Sequence, residues 1–330
     1  MKILLDENKK YYKANLHCHT TYCDGKSTPE EIKEMYQARG YSVVAYTGHE
    51  IMHDFTHLSD ESFIALKGYE QATNNDRVAD PVKKHQSAHF NFIAKNPEMD
   101  TIVAYNHDYD WIHSKEEGEA VKSIMKGYER LHNTEDFNMI IKLANELGFL
   151  SFYNHPSWSL HSYEDYIGLR GLSGMEVING NEMNDERVYD DFLRLGVRLN
   201  CLCADDTHNR YPVDSPKSEA FRGFTMIQAD EFSYSGIIDA IENGRFYSSQ
   251  APFIYGITLD GNILRVKTSP VEKICVHGAS RPLIATGEKN GDLITEAEFV
   301  LDNSCAAFFR VSAIDTYGKK AFSNAYYEMI

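Results

Sequence analysis

The sequence predicts an α/β barrel followed by a small antiparallel β-sandwich. Short apolar runs alternate with helical segments up to about residue 250, a pattern typical of a mostly parallel sheet. Histidines or acidic residues follow most of these runs. A barrel brings the ends of its strands to one mouth, whereas an open doubly wound sheet has a single switch point. From residue 252 onward, short alternating segments and turns such as Asp260-Gly261 favour the sandwich.

The first strands and the first helix follow from local signals. Residues 13–19 and 42–47 are predicted as strands. Between them, Ser27-Thr28-Pro29-Glu30-Glu31 offers a hydroxyl cap, an early proline and first-turn acids, which predicts a helix that runs to about Arg39 and ends at Gly40. Further strands are predicted at 63–69, from His89 onward, and at 101–105.

The second half of the barrel is predicted from the same kind of pattern. Helices are expected at 134–147, ended by Gly148, and at 185–195. Strands are expected at 149–153, 174–178 and 198–203, and residues 220–228 with a helix at about 235–243 complete the set. The sandwich strands are expected at 255–259, 263–268, 273–277, 298–301, 307–314 and 321–327. The change of pattern near Pro252 divides the chain into domains of residues 1–251 and 252–330.

Composition and charge restrict the partners of this protein. The 330 residues carry a formal net charge of −16, which argues against nucleic acid or an anionic membrane surface as the main partner. The N-terminal apolar run is too short for a signal peptide, and no stretch is long enough to span a membrane. Six cysteines without a signal sequence are typical of reduced thiols in a cytoplasm. We therefore expect a cytoplasmic protein that acts on a small molecule, and a homo-oligomer is compatible with the sequence.

Nine potential metal ligands occur in order along the predicted barrel. His17 and His19 lie two residues apart on a strand, so both rings point to the same face, and Asp206 and His208 repeat this spacing. Taken singly, each motif has another explanation: the histidines as core or loop residues, Asp24-Gly25 as a turn, and Asp206 as a cap. Taken together, the set predicts a multinuclear metal site. The nine residues are His17, His19, Asp24, His49, Glu70, His89, His155, Asp206 and His208.

Three of these assignments have competitors in the sequence. His85 precedes His89 by four residues, but His89 heads an apolar run. The segment that ends in His107 is similar to the segment that ends in His155, where the following proline favours a rigid ligand loop. Asp205 competes with the next residue, which alone has the two-residue spacing to the last histidine.

Other residues near the predicted mouth receive supporting roles. His107 is kept as a candidate substrate-binding residue. Arg210 could reach a substrate phosphate, although a surface arginine is the simpler account. Glu176 and Asn179, at the end of a predicted strand, are expected to support the core rather than to catalyse, and Cys18 is expected to be a small core residue.

The motifs resemble those of the PHP (polymerase and histidinol phosphatase) family over about residues 13–250. The resemblance implies a distorted barrel of seven β/α units with two or three divalent metal ions, for which zinc, manganese and iron are the candidates. The family usually has an aspartate where this chain has Gly48, which removes a polar neighbour from the predicted site. The similar segments are, in order, His17-Cys18-His19-Thr20, Cys23-Asp24-Gly25, Thr28-Pro29-Glu30-Glu31, Thr47-Gly48-His49, Gly68-Tyr69-Glu70, His89, Asn154-His155-Pro156 and Asp206-Thr207-His208.

The same resemblance implies how the ligands are shared. The C-terminal part, with residues 315–324, is similar to a tail sandwich of one subgroup, in which some members look like carbamate or ester hydrolases. By analogy with the family, one metal would take His17, His19, Glu70 and Asp206, a second Glu70, His89 and His155, and a third Asp24, His49 and His208.

The sequence thus predicts a metal-dependent phosphoesterase that hydrolyses a small-molecule phosphate ester. A hydroxide bridging two metal ions would attack phosphorus in line, since metal binding lowers the pKa of water from about 15.7 towards about 7. Asp206, His208 and His155 are the candidate catalytic residues, with either histidine as the proton donor if it is not fully committed to metal. Two alternatives stay open: metal-dependent hydrolysis of an amide, carbamate or carboxylic ester, and a metal-binding scaffold without activity.

Overall fold

The computed structural model of the chain describes residues 1–76, 78–180 and 183–327. Its strands are β1 (Lys2–Leu5), β2 (Tyr11–Asn15), β3 (Tyr41–Tyr46), β4 (Ile64–Asn74), β5 (Ser87–Ala94), β6 (Thr101–Val103), β7 (Lys122–Ile124), β8 (Phe149–Tyr153), β9 (Gly174–Ile178), β10 (Asn200–Cys203), β11 (Phe224–Gln228), β12 (Phe246–Ser249), β13 (Ile254–Asp260), β14 (Ile263–Val271), β15 (Lys273–His277), β16 (Leu283–Thr286), β17 (Ile294–Val300), β18 (Phe308–Ile314), β19 (Lys320–Ser323) and β20 (Tyr326–Tyr327). Its helices are α1 (Pro29–Gln37), α2 (Lys115–Ala120), α3 (Thr134–Leu147), α4 (Tyr163–Tyr166), α5 (Glu186–Arg194) and α6 (Tyr234–Glu242). Short 3₁₀ turns lie at Thr56–Leu58, Lys83–His85, His107–Tyr109 and Asn303–Cys305. The fold is mixed α/β, with a large sheet and few helices.

One 14-stranded sheet runs through the structure, in the order β10-β9-β8-β5-β4-β3-β2-β11-β12-β19-β18-β15-β16, with β20 paired to β18. Within it, the pairs β2–β3, β3–β4, β8–β9 and β9–β10 are parallel. The other pairs of this sheet in the described part of the chain are antiparallel. The prediction of a mostly parallel sheet is therefore wrong.

The strands from β2 to β10 do not show the closed barrel of alternating strands and helices that was expected. β4 and β5 are antiparallel because the link between them, residues 75–86, has no α-helix in its described part to carry a parallel crossover. The ends of β2 and β10 meet just beyond their last residues, where the Asp206 amide donates to the His17 carbonyl (3.1 Å) and the His19 amide to the Thr207 carbonyl (3.0 Å). Among the described residues, no ladder joins these two strands.

Local capping places the longer helices where the sequence predicted them. The Thr28 hydroxyl accepts from the Glu31 amide (3.2 Å), the Glu31 carboxylate accepts from the Thr28 amide (2.8 Å), and Pro29 is the first helical residue of α1. α3 ends at Gly148, whose φ of 107° suits a left-handed cap. The bounds of α1, α3, α5 and α6 lie within two residues of the prediction. None of the described helices is both long and apolar enough to cross a membrane.

Two antiparallel layers share one core in the C-terminal part. The sheet β1-β13-β14-β17 packs against strands β12, β15, β18 and β19 of the large sheet, and the apolar residues of both form a single cluster. The sequence pattern predicted antiparallel strands here. It did not predict β1, which comes from the N-terminus and places Lys2 opposite Leu259. The division into domains of residues 1–251 and 252–330 stays a prediction.

An ion-pair network around a buried arginine joins this C-terminal part to α5. Arg310 on β18 is fully buried, and its guanidinium donates to Asp190 (Nε–Oδ1, 2.8 Å) and to Glu186 (Nη2–Oε1, 2.9 Å). Lys320 on β19 contacts the other oxygen of Glu186 at 2.5 Å. Because a buried charge is costly unless it is paired, this network ties the C-terminal sheets to the helix.

Candidate metal centre

The nine predicted ligands come together beside a cavity of about 340 Å³. Seven of them line the cavity, and the other two, His17 and His19, lie beneath these and are fully buried. All of them follow or lie on strands of the large sheet, except for one in the loop before α1. By position they are His17 and His19 after β2, Asp24 in that loop, His49 after β3, Glu70 on β4, His89 on β5, His155 after β8, and Asp206 and His208 after β10.

One donor group consists of His17, His19, Glu70 and Asp206. The Nε2 atoms of the two histidines lie 3.1 Å apart, and Asp206 Oδ1 is 3.2 and 3.1 Å from them. Each oxygen of Glu70 lies 3.4 Å from one of these nitrogens. All four side chains are buried, and Asp206 Oδ1 has no hydrogen-bond partner among the described residues. Lone pairs that converge in this way require a cation, so the group fits a metal ion.

Glu70 links this group to further histidines. Its Oε1 lies 2.9 Å from His89 Nδ1 and 3.4 Å from His155 Nε2, and these three residues form a second donor group. Its Oε2 lies 3.1 Å from His49 Nδ1. Burial alone would raise the pKa of Glu70, but His89, His17 and His49 hold that pKa well below its usual range. A carboxylate whose two oxygens face different donors is suited to bridge two metal ions.

Another group surrounds Asp24 and consists of His19, Asp24, His49 and His208. Asp24 Oδ1 lies 3.5 Å from His19 Nδ1 and 3.8 Å from His49 Nε2, and Asp24 Oδ2 lies 3.3 Å from His208 Nε2. Asp24 Oδ1 and His49 Nδ1 are buried and lack hydrogen-bond partners within the described ranges. The family resemblance implied this set without His19. The structure places His19 in both this group and the first, so the groups overlap.

Two of the ligands have strained backbones. The φ angles of His155 and Asp206 are 25° and 50°, in the left-handed region that non-glycine residues seldom occupy. The His155 amide donates to Glu176 Oε2 (3.1 Å), and the Asp206 amide to the His17 carbonyl (3.1 Å). Strain of this kind costs about 1–3 kcal/mol per residue, and it persists where the surrounding structure holds it.

Glu176 and Asn179 contact the ligands directly. Glu176 Oε1 lies 2.7 Å from His17 Nδ1, and Asn179 Nδ2 donates to Glu176 Oε2 (3.0 Å) and to Asp206 Oδ2 (3.3 Å). Because His17 Nε2 faces the donor group, Nδ1 carries the proton that is donated to Glu176. Glu176 also forms a donor group of its own with His17 and His155. The supporting role expected for these two residues is thus exerted on the ligands themselves.

Sequence reasoning missed Cys23. Its Sγ lies 3.5 Å from His19 Nδ1, and a Cβ added to Gly48 would lie 3.1 Å from that sulfur. Although burial raises it, the pKa of the Cys23 thiol is lowered to about 7 by His19 and by backbone hydrogen bonds. Cys23 therefore occupies the space beside His19 that Gly48 leaves open. The available signal was its position directly before the predicted ligand Asp24.

The two predicted substrate-binding residues lie in different places. Arg210 lines the cavity, and its guanidinium pairs with Asp24 Oδ2 at 2.5 Å. His107 is exposed, lies 3.4 Å from the Tyr105 hydroxyl, and is not among the described residues that line the cavity.

The competing ligands do not join the described donor groups. His85 is exposed on a 3₁₀ turn. Asp205 is fully buried beside the ligand Asp206 and accepts hydrogen bonds from the Tyr36 hydroxyl (2.7 Å) and from the amides of residues 221–223 (2.8–3.0 Å). Burial raises the pKa of Asp205 to about 6, in spite of these hydrogen bonds. Asp205 therefore anchors the loop around residue 222.

No protein-family model matches the chain, and no curated protein is similar to it in sequence. Among solved structures, it is similar to a two-domain protein from Bacteroides vulgatus containing a predicted PHP-like metal-dependent phosphoesterase, with 14% identity over 94% of this chain and 92% of that chain and a TM-score of 0.47. A protein from Bifidobacterium adolescentis, provisionally named a metal-dependent phosphoesterase, has 15% identity over 61% of this chain and 90% of its own, with a TM-score of 0.37. An amidohydrolase from Chromobacterium violaceum has 15% identity over 59% and 87%, with a TM-score of 0.35.

Proposed function

We propose that this protein is a metal-dependent hydrolase and acts as a phosphoesterase on small-molecule phosphate esters. The position of Glu70 supports this proposal most strongly. Its Oε1 lies near His89 and His155, and its Oε2 near His19 and His49. Two-metal phosphatases use this arrangement, in which two neighbouring metal ions share a carboxylate.

The donor set suits a first-row transition metal or zinc. Imidazole nitrogens and carboxylate oxygens are ligands for zinc, manganese and iron, and no thiol belongs to the described groups. When bound, divalent ions would activate water and neutralise charge on the phosphoryl oxygens. Asp206 and His155 hold their donors on strained, hydrogen-bonded backbone. His208 is partly exposed and its Nδ1 donates to the Asp206 carbonyl (2.9 Å), so only its Nε2, where a metal ion does not take that nitrogen, can give a proton to the leaving oxygen.

The size and charge of the cavity favour a small anionic substrate. Its volume of about 340 Å³ is near the lower end of small-molecule sites, roughly 300–1,000 Å³. The formal net charge of −16 would repel an anion, but two or three divalent ions at the donor groups would reverse the local charge.

One observation favours a second candidate, the hydrolysis of an amide, carbamate or carboxylic ester. Arg210 is the only lysine or arginine among the described residues that line the cavity, and it is already paired with Asp24 at 2.5 Å. A dedicated basic side chain for phosphate oxygens is therefore missing from this lining. The same activated water would attack a carbonyl carbon.

Metal content and ester hydrolysis, measured on one preparation, test these proposals. We expect about two or three equivalents of metal per chain, and hydrolysis of p-nitrophenyl phosphate or bis-p-nitrophenyl phosphate that chelation abolishes and metal restores. Turnover of p-nitrophenyl acetate alone would favour the second candidate. Bound metal without turnover of any of the three esters would favour a scaffold, and full activity in metal-free protein would refute the metal-dependent mechanism.

A pair of variants tests the site itself. Asp206→Asn removes the charge of a buried donor that two histidine nitrogens face, so we expect less bound metal and loss of turnover. His85→Ala is the matched control, because His85 is an exposed histidine outside the donor groups. If both variants kept the metal content and activity of the parent, the assignment of the metal site would be refuted.

A further inference from the structure

Both tryptophans of the chain line the cavity beside the donor groups. Trp158 keeps 44% of its surface exposed and Trp111 keeps 69%. A rigid indole in a concave site offers a large apolar contact area and loses little conformational entropy when a ligand packs on it. Their shared placement therefore indicates a contact surface for the organic part of the substrate.

The two indoles lie beside different ligands of the candidate metal centre. The ring of Trp158 is 5.0 Å from that of His155 and 5.3 Å from that of His89, in edge-to-face contacts. The ring of Trp111 is 6.0 Å from that of His49. A molecule held at the donors thus has its organic part within reach of the indoles.

Hydrogen-bonded turns hold the backbone beside both tryptophans in place. In the loop that carries Trp158, the Ser159 amide donates to the carbonyl of the ligand His155 (3.1 Å). In the loop that carries Trp111, Asp110 Oδ1 accepts from the amides of residues 112 and 113 (3.2 and 3.0 Å). A surface ordered before binding loses less entropy on binding than a mobile one.

The charges around the cavity restrict what the organic part can carry. Four carboxylates line it, those of Asp24, Glu70, Asp206 and Glu219, and the single described guanidinium, that of Arg210, is paired with Asp24. Glu219 Oε2 is buried without a hydrogen-bond partner in the described part of the chain. Metal ions at the donor groups would attract one anionic group of the substrate. A second anionic group further out would be repelled by the carboxylates that line the cavity.

We infer that the substrate carries one anionic ester group and one uncharged planar aromatic ring, and that the ring packs on Trp158 with Trp111 at the outer wall. The inference rests on the proposed function, because it places the ester at the metal donors. The cavity of about 340 Å³ leaves room for one such ring beyond the ester group.

Binding of non-hydrolysable ligand pairs to the metal-loaded protein tests this inference by isothermal titration calorimetry. We expect phenylphosphonate to bind at least about tenfold more tightly than methylphosphonate, and more tightly than cyclohexylphosphonate, which has a ring of similar size that is not planar. Trp158→Ala should reduce the phenyl-to-methyl ratio to about threefold or less, and Trp158→Phe should preserve most of it. The ratio is taken within each variant, so a loss of affinity common to both ligands does not change it. Tyr317→Ala, which removes an exposed aromatic ring outside the cavity, is the control and should leave the ratio unchanged.

A parallel pair, benzoate and acetate, separates this inference from the proposed function. A preference for benzoate over acetate that Trp158→Ala removes, with neither phosphonate bound, would support the aromatic site and count against the phosphoesterase. Equal affinities of phenylphosphonate and methylphosphonate, or of the phenyl and cyclohexyl ligands, would overturn the inference. So would a ratio that Trp158→Ala leaves unchanged, or the failure of all these ligands to bind.

Discussion

Replacing Glu176 by glutamine is expected to weaken metal binding although every predicted ligand stays in place. Glu176 is 1% exposed, and both of its oxygens are used. Oε1 lies 2.7 Å from His17 Nδ1, and Oε2 accepts from the His155 amide (3.1 Å) and from Asn179 Nδ2 (3.0 Å). The carboxylate therefore orients one ligand ring and holds the strained backbone of another.

The size of the effect follows from the hydrogen-bond pattern. An amide offers one oxygen and one NH₂, whereas Glu176 accepts on both sides. In one orientation the NH₂ of Glu176→Gln faces the proton on His17 Nδ1, and in the other it faces the His155 amide and Asn179. Loss of a partner that orients a ligand typically lowers metal affinity by about 10–100-fold, which is about 1.4–2.8 kcal/mol.

Competition with a chromophoric chelator measures this affinity directly, with thermal melting of each variant as the check on folding. Glu219→Gln is the matched control, since Glu219 lines the same cavity but belongs to none of the described donor groups. We expect a large loss of affinity for Glu176→Gln and little change for the control. Equal affinities in the parent and Glu176→Gln would refute the role of this carboxylate, and equal losses in both variants would trace the effect to cavity charge.

The remaining predictions concern the stability of the C-terminal part. Arg310→Met should lower the free energy of unfolding by about 1–3 kcal/mol, because two half-buried carboxylates lose a fully buried guanidinium, although Lys320 still pairs with Glu186. Arg265→Met removes an exposed pair with Glu298 at the same 2.8 Å distance and should cost less than about 1 kcal/mol; similar losses in urea unfolding would contradict the argument. Burial and the nearby Arg310 lower the pKa of His277 to about 4, against about 6.5 when unfolded. The unfolded chain therefore binds the extra proton between these values, so stability should fall as the pH is lowered from about 6.5 to about 4. His277→Gln should flatten this part of the profile of stability against pH. An unchanged slope would show that His277 is not the source of the pH dependence.

Features that depend on neighbouring residues could be predicted from the sequence. The Thr28 cap with Glu31 and the left-handed Gly148 are each set within a few residues, and they located the helices. Whether two strands run parallel or antiparallel does not depend on neighbouring residues alone. In its described part, the link between β4 and β5 has no α-helix to return the chain in parallel, and the two strands form an antiparallel pair. Neither segment's sequence indicates that β1 pairs with β13, which lies over 250 residues away.

The two Asn-His segments show the same limit at the site. The sequence around His107 is similar to that around His155, and the proline after His155 is the local difference that favoured it as the ligand. The strands that precede the two histidines belong to different sheets. β6, which leads to His107, pairs with β7 in a separate two-stranded sheet, so that histidine reaches the surface. β8, which leads to His155, lies between β5 and β9 in the large sheet, and its histidine meets the other donors. Pairing between distant strands therefore decides which histidine becomes a candidate ligand.

The strain at His155 and Asp206 connects this architecture to the proposed chemistry. Each residue has a left-handed φ within three residues of the end of a strand of the large sheet, and each amide is hydrogen-bonded to a group that also contacts or carries His17. The sheet thus holds both residues in a strained conformation, at a cost of about 1–3 kcal/mol per residue, before any ion binds. Donors fixed in this way do not have to be ordered by the metal, so more of the binding free energy appears as affinity. Glu176 contacts both His17 and the His155 amide, and for that reason a buried residue outside the predicted ligand set should control how tightly the centre holds its metal.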